Sequence, residues 1–364
     1  MESDFGKLDK RPKKRPKKGS IEAAFNFNTS LKNVVYLEPK STFQLPDLPP
    51  GKKYVVDLFA GIGGFSCGAA QAGHIPVLAI DSNAELLQCH AANHTNCRHI
   101  AMELGPETED FLIQTIQEMI PDPSKLHLHG SPPCTMLSKM QGPRRSMHNG
   151  ELEKDHDVGM STVTWFLRLV IRMRPASWTF EQISTHDVFG ALALMQECFP
   201  TLVDVYKRLR MNDFGVPQER TRCIAGSPHL IQRLKTDATL LEPAPSIEET
   251  LAPPAGAAYV KSSWGRFPDP AHTVDNGDGT FTNNKIFSGC YRPLDRIAPT
   301  CLAGNPMTWT KSDYTGIRRF SVREHATLQT FPESFTFMKL SVPSILGIGN
   351  AFPPKMVKKI MASL

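Results

Sequence analysis

The sequence predicts an α/β protein with a Rossmann-like, largely parallel sheet and a small irregular domain inserted late in the chain. Three observations carry this. From Tyr54 onward, short apolar runs alternate with amphipathic stretches, a pattern that lays strands in parallel with helices on both faces. The first apolar run ends in a glycine turn, Gly61-Ile-Gly-Gly64. After about Pro228 the text fills with Pro, Gly, Asn and Asp as far as residue 298, a composition of turns rather than of regular layers.

Taken in order, Tyr54–Gly61 (YVVDLFAG) reads as a buried strand running into the turn, with the helical text GGFSCGAAQAG behind it. Ile75–Ile80 is a second strand, and Asp81-Ser-Asn83 after it supplies residues that cap a helix over Ala84–Asn93. Glu109–Ile120 is helical, Leu126–His129 a strand, Thr162–Met173 a strongly apolar helix and Ser177–Phe180 a short strand. Val216–Ala225 reads as a further strand, with Arg220 and Arg222 on one face because side chains alternate. Asp275-Asn-Gly-Asp-Gly279 is a hairpin turn, and Ser321–Leu328 returns to helix. The domain reading is a basic, proline-rich tail at 1–50, a main domain at 51–227, the irregular domain at 228–298 and a return to the main domain at 299–364.

Of the 364 residues, 40% are hydrophobic and 21% charged, as in ordinary globular chains. No apolar stretch approaches the ~18 residues of a membrane span, and the N-terminus lacks the apolar core of a secretory signal. Residues 1–18 carry eight Lys/Arg against three acids, so the whole net charge of +5 resides there and the rest is formally neutral. The run Lys10–Lys18 suits a nuclear-import signal or a nonspecific nucleic-acid arm, which points to the nucleus. Any phosphate-binding face in the body is therefore local, with Lys139, Arg144 and Arg145 as candidates. The eight cysteines form no Cys-x-x-Cys pair, which fits a reducing compartment and gives no expectation of a metal site.

The candidate chemistry lies at the ends of the strands. Gly61, Gly63 and Gly64 allow a tight turn and close approach of a ligand. Asp81 ends the next strand 20 residues after Gly61, where such sheets place an acid that holds ribose hydroxyls. No GxxxxGK[ST] is present, which speaks against nucleoside triphosphate hydrolysis. Cys134 follows a strand in Gly130-Ser-Pro-Pro-Cys134. Two prolines stiffen the backbone ahead of its sulfur, as suits a nucleophile. Glu181 ends the strand Ser177–Phe180 and brings a carboxyl group to the same sheet edge. A carboxyl group and an arginine are the types that grip the edge of a cytosine, with its carbonyl, ring nitrogen and amine.

These segments together resemble the cytosine carbon-5 methyltransferase family. The matching motifs are DLFAGIGGFS at 57–66, SPPC at 131–134, FEQ at 180–182, QERTR at 218–222, RFSVREHATLQTFP at 319–332 and GNAFPP at 349–354, in the family's order. The resemblance implies an S-adenosylmethionine-dependent methyltransferase sheet with a target-recognition domain at 228–298, and duplex DNA as partner. It further implies a flipped-out cytosine attacked by Cys134, held by Glu181 and Arg222, with Arg220 bracing the site. Phe59, Gly61, Gly63, Asp81, Glu103 and Asn350 are expected to line the cofactor pocket. Several positions depart from the family's habit: Thr135 and Gln182-Ile183 replace Gln and Asn-Val, Gly347 stands where Gln is common, and Met102-Glu103 replaces Gly-Asp. Two other readings share the motifs, an RNA-modifying relative and a nucleic-acid-binding scaffold. The tRNA branch carries a Cys-Phe-Thr signature that is absent here.

Overall fold

The computed structural model describes residues 34–37, 43–133, 149–251, 257–260, 273–275, 281–283, 291–292, 296–303, 308–311 and 318–364. The basic run Lys10–Lys18, the expected nucleophile Cys134, and Lys139, Arg144 and Arg145 lie outside them.

The first half of the chain gives β1 (Val35–Tyr36), β2 (Tyr54–Leu58), α1 (Gly64–Gln71), β3 (Ile75–Asp81), α2 (Ala84–Asn93) and β4 (Arg98–Ala101). Next come α3 (Glu109–Met119), β5 (Leu126–Gly130), α4 (Asn149–Met173), β6 (Ser177–Gln182) and α5 (His186–Cys198). The sheet is completed by β7 (Asp204–Arg210), with β8 (Gln218–Glu219), β9 (Thr221–Gly226) and α6 (Pro228–Thr236) following.

One eight-stranded sheet runs β1-β4-β3-β2-β5-β6-β9-β7. β4, β3, β2, β5 and β6 are parallel, while β9 is antiparallel to both β6 and β7. Chain order moves outward from β2 through β3 to β4, then restarts at β5 on the other side. The switch point therefore falls between β2 and β5, and ligands of doubly wound sheets bind off the carboxyl ends of the strands there. All five residues of β2 are buried, as a strand covered on both faces requires. Val56 and Leu58 belong to the core on one face, and Val55 joins Phe65, Ile224 and Met356 in the core on the other.

The expected caps are present. Asn83 is the N-cap of α2, its side chain accepting from the Glu85 and Leu86 amides. Three local differences from the sequence reading have physical causes. Helix α4 starts at Asn149 rather than Thr162; its first turns are polar and carry no apolar period. Strand β6 continues to Gln182, so Glu181 sits inside the strand instead of following it. The strand expected over Val216–Ala225 is interrupted at Arg220, leaving β8 and β9 as separate pieces.

The remainder comprises α7 (Ile247–Thr250), β10 (Ala257–Val260), β11 (Thr273–Asp275), β12 (Phe281–Asn283), β13 (Tyr291–Arg292), β14 (Ala298–Pro299), β15 (Thr308–Lys311) and β16 (Arg318–Arg319). It ends in α8 (Val322–Leu328), α9 (Ser341–Asn350) and α10 (Pro354–Met361). β13, β10, β15 and β16 form a four-stranded sheet, and β11 pairs antiparallel with β12 on either side of the expected turn. Residues 276–279 of that turn lie outside the described residues. Helix α6 packs Ile231 and Leu234 into the main core, and the small sheet reaches Arg319. Helix α6, at the start of the expected region 228–298, is amphipathic and buries its apolar face on the main sheet.

Candidate active site

The turn after β2 combines three left-handed residues, Phe59 (φ 60°), Gly61 (φ 54°) and Gly63 (φ 97°). A positive φ at Phe59 is costly for a residue with a side chain and clusters at functional positions. Its ring is half-buried and packs edge-on against Trp165 at 6.1 Å. The turn is tied to β3 from both sides. The Ala60 amide donates to the Ile80 carbonyl at 3.0 Å, and the Gly61 amide donates to Asp81 Oδ2 at 2.8 Å. Asp81 Oδ1 accepts from the Asn83 amide at 2.8 Å. Burial raises the Asp81 pKa, and these two hydrogen bonds oppose the rise.

The glycines of the turn are used differently. A Cβ on Gly61 would meet nothing within 4 Å, so this backbone faces open space. A Cβ on Gly64 would lie 2.4 Å from the Phe352 carbonyl oxygen, and one on Gly68 would lie 2.4 Å from that of Pro354. Those two glycines let α1 lie against the C-terminal segment. Glu103 and Asn350 are exposed, the first two residues past β4 and the second at the end of α9.

Glu181 sits two strands away from the turn, near the carboxyl end of β6, and is 5% exposed. Its Oε1 lies 3.0 Å from Arg222 Nε and 3.8 Å from an Arg220 nitrogen. Arg220 is 1% exposed and donates from Nη1 to the Gly349 carbonyl at 3.1 Å. The expected trio therefore converges, though by another route than alternation along one strand. Arg220 occupies the break between β8 and β9, where its amide bonds the Gln218 carbonyl at 2.9 Å, and Arg222 reaches Glu181 from the start of β9. Two guanidinium groups thus face one buried carboxyl group.

The loop that leads to Cys134 is pinned at Ser131 and Pro132. The Ser131 amide donates to the Leu58 carbonyl at 3.3 Å, and the Ser131 hydroxyl lies 2.7 Å from His129 Nε2. Gln182 Nε2 donates to the Pro132 carbonyl at 2.9 Å. Gln182 stands where relatives carry the shorter Asn, and its length spans the gap between β6 and this loop. His129 continues a buried chain with Thr179, His127 and Ser177, and burial holds both imidazoles neutral, well below the usual histidine range.

The late motifs brace this edge, and sequence reasoning missed two of the residues that do so. Buried Gln218 donates to the Leu328 carbonyl at 2.9 Å and accepts from the Cys301 amide at 3.0 Å. Gln329 donates to the Ala351 carbonyl and accepts from Gln218. No local signal marks such contacts, since the partners are about a hundred residues apart in the chain. Gly347 is also explained: a Cβ there would lie 2.4 Å from Ile62 Cγ2, which leaves no room for the Gln common at that position.

A Rossmann-like sheet with an open glycine turn at its switch point, an aspartate at the end of the next strand and a carboxylate–arginine group beside a Pro-Pro loop is the arrangement expected of a methyltransferase. A family model described as C-5 cytosine-specific DNA methylase matches residues 54–177 and 257–364. The chain belongs to that family and is, by enzyme class, a DNA cytosine-5 methyltransferase. It is similar to the type II methyltransferase M1.HphI of Haemophilus parahaemolyticus, with 24% identity over 345 residues covering 84% of each chain. It is similar as well to M.AplI of Arthrospira platensis, 25% identical over 342 residues and 85% of each chain. In fold it resembles the S. pombe Dnmt2 methyltransferase, with a TM-score of 0.55 at 16% identity, covering 86% of this chain and 98% of that one. A Spodoptera frugiperda DNMT2 mutant gives 0.57 at 14% identity over 85% and 99%. Among the described residues, no helix is long and apolar enough to cross a membrane.

Proposed function

We propose that the protein transfers a methyl group from S-adenosylmethionine to carbon-5 of a cytosine extruded from duplex DNA, through a covalent adduct with Cys134. The observation that supports it best is the meeting of Glu181, Arg220 and Arg222 beside the anchored Pro132 loop, with the glycine turn one strand further on.

The residues fit the cofactor. Gly61 has no atom within 4 Å of where a Cβ would stand, which leaves room for a ligand against the turn. Asp81 keeps acceptor capacity beyond its two backbone bonds, enough for ribose hydroxyls. Phe59, Gly61 and Gly63 line the cofactor, with Glu103 and Asn350 at its exposed margins. S-adenosylmethionine supplies an electrophilic methyl group.

The chain's own residues do the rest. The Cys134 thiolate adds to carbon-6 of the base, breaking the 5,6 double bond and making carbon-5 nucleophilic. Glu181, fixed by the arginines, holds ring nitrogen-3 and the exocyclic amine as electrons move onto the ring, and Arg222 contacts the base oxygen. After carbon-5 takes the methyl group, its proton leaves to a base in solvent. The ring electrons return and expel the thiolate. Extruding the base costs a few kcal/mol, which contacts in the pocket offset. The basic run Lys10–Lys18 serves as a nuclear-import signal or an arm along the DNA backbone.

Duplex DNA carrying 5-fluorocytosine tests the adduct, because fluorine at carbon-5 cannot leave as a cation. With S-adenosylmethionine present, the wild type should form a DNA–protein species that survives denaturing electrophoresis. Cys134→Ser should form none. Equal trapping by both would overturn the assignment of Cys134.

A further inference from the structure

Between α2 and β4 the chain gathers two histidines and a cysteine into one buried group. His90 lies in the last turn of α2, Cys97 just precedes β4, and His99 is its second residue. All three are buried, and one donor atom from each lies within 4.8 Å of the other two. His90 Nδ1 and His99 Nε2 are 2.9 Å apart. Tetrahedral zinc with bonds of about 2.0–2.3 Å to nitrogen and sulfur sets its donors roughly 3.3–3.8 Å apart. The spacing of this group brackets that range, so small side-chain adjustments bring the donors to it.

The surroundings orient the donors. Ser66 Oγ donates its proton to Asp57 Oδ2 at 2.7 Å, so toward His90 Nε2, 2.9 Å away, it acts as acceptor. This fixes the His90 proton on Nε2 and leaves the Nδ1 lone pair directed at His99. A carboxylate acting through a hydroxyl on a histidine is the outer support that metal-binding imidazoles use. His94 lies one turn along, its ring centroid 4.6 Å from that of His90. Its buried Nε2 has no hydrogen-bond partner among the described residues.

We propose that His90, Cys97 and His99 form a three-ligand site for a zinc-class divalent ion. A Cβ on Gly63 would lie 2.8 Å from His90 Cδ2, so the ion stiffens the layer directly beneath the glycine turn. The pattern escapes a search for Cys-x-x-Cys because its ligands are mixed and spaced His-x6-Cys-x-His across a helix-to-strand turn. The site does not depend on the proposed reaction, and its test is separate.

The full chain, purified without metal-affinity resin or chelator, should carry zinc equimolar with protein by elemental analysis. Cys97→Ser and His99→Ala should each reduce the content at least fivefold, while Cys198→Ser, at an exposed cysteine, should not. Chelator-stripped wild type should lose thermal stability and regain it with zinc. Cobalt added to it should produce a thiolate-to-metal charge-transfer band. That titration uses the wild type alone, so it decides the matter even if the variants fail to fold. A wild type that carries no metal and gives neither a cobalt band nor a zinc-dependent shift would overturn the proposal. So would binding unaffected by folded Cys97→Ser and His99→Ala.

Discussion

The side-chain amide of Gln182 donates to the carbonyl of Pro132 across 2.9 Å, tying the strand that carries Glu181 to the loop that leads into Cys134. The same side chain accepts from the Ile183 amide at 2.8 Å, so both of its ends are fixed. Glutamine here does by length what a shorter amide would do from a closer strand.

Removing that link should misplace the nucleophile while sparing the cofactor site. Gln182→Ala should lower kcat by about 10- to 100-fold, the cost of a misplacement near 1 Å, and leave the Kd for S-adenosylmethionine within about twofold. Steady-state kinetics with calorimetry check this. Equal loss in both would place Gln182 in general stability instead.

On the proposed mechanism, in which Glu181 holds the base, Glu181→Gln should cut turnover sharply with cofactor binding nearly intact. Arg220→Met should act differently. It removes one of the two guanidinium groups beside buried Glu181, and with it the bond to the Gly349 carbonyl. Breaking a buried pair from one side costs about 3–5 kcal/mol, which denaturant melts will register as a lower midpoint. A melt unchanged from wild type would contradict the bracing role of Arg220.

Restoring the family's common residue at Gly347 should destabilise this chain. A side chain there meets Ile62 Cγ2 at 2.4 Å, and overpacking of this order costs about 1–3 kcal/mol. Gly347→Ala and Gly347→Gln should both melt lower than wild type. A paired Ile62→Ala change should recover part of the loss if the clash is the cause.

Acid should destabilise the protein earlier than carboxylate protonation alone would. His74, His127, His129 and His325 have folded pKa values held below 6.5 by burial. The unfolded chain takes up protons near pH 6.5 that these groups refuse in the fold. Their contribution is complete above that pH and is lost as pH falls below it, by at most about 1.4 kcal/mol per pH unit for each histidine. Asp57, whose pKa burial pushes up to about 7, acts in the opposite sense over that range, and the raised pKa of Asp81 works in the same direction as that of Asp57. Denaturation midpoints should therefore fall steadily from pH 7 to pH 5, and a flat profile would refute this balance.

Much of the site was legible because its residues answer local demands. Positive φ angles call for glycine at 61 and 63, an aspartate at the end of β3 ties the glycine turn to that strand, and Asn83 caps the helix after it. The break at Arg220 was not legible, because it is set by Gln218 bonding to the segment around Leu328 and Cys301, far off in the chain. The first half of α4 was missed because its early turns are polar. The His90–Cys97–His99 group was invisible to a reading that sought paired cysteines.

The most direct test offers radiolabelled S-adenosylmethionine to the wild type and to Cys134→Ala, with duplex DNA and tRNA in parallel. Label entering DNA alone, and only with the wild type, is the predicted result. Label entering tRNA instead, or entering DNA equally with Cys134→Ala, would contradict the account.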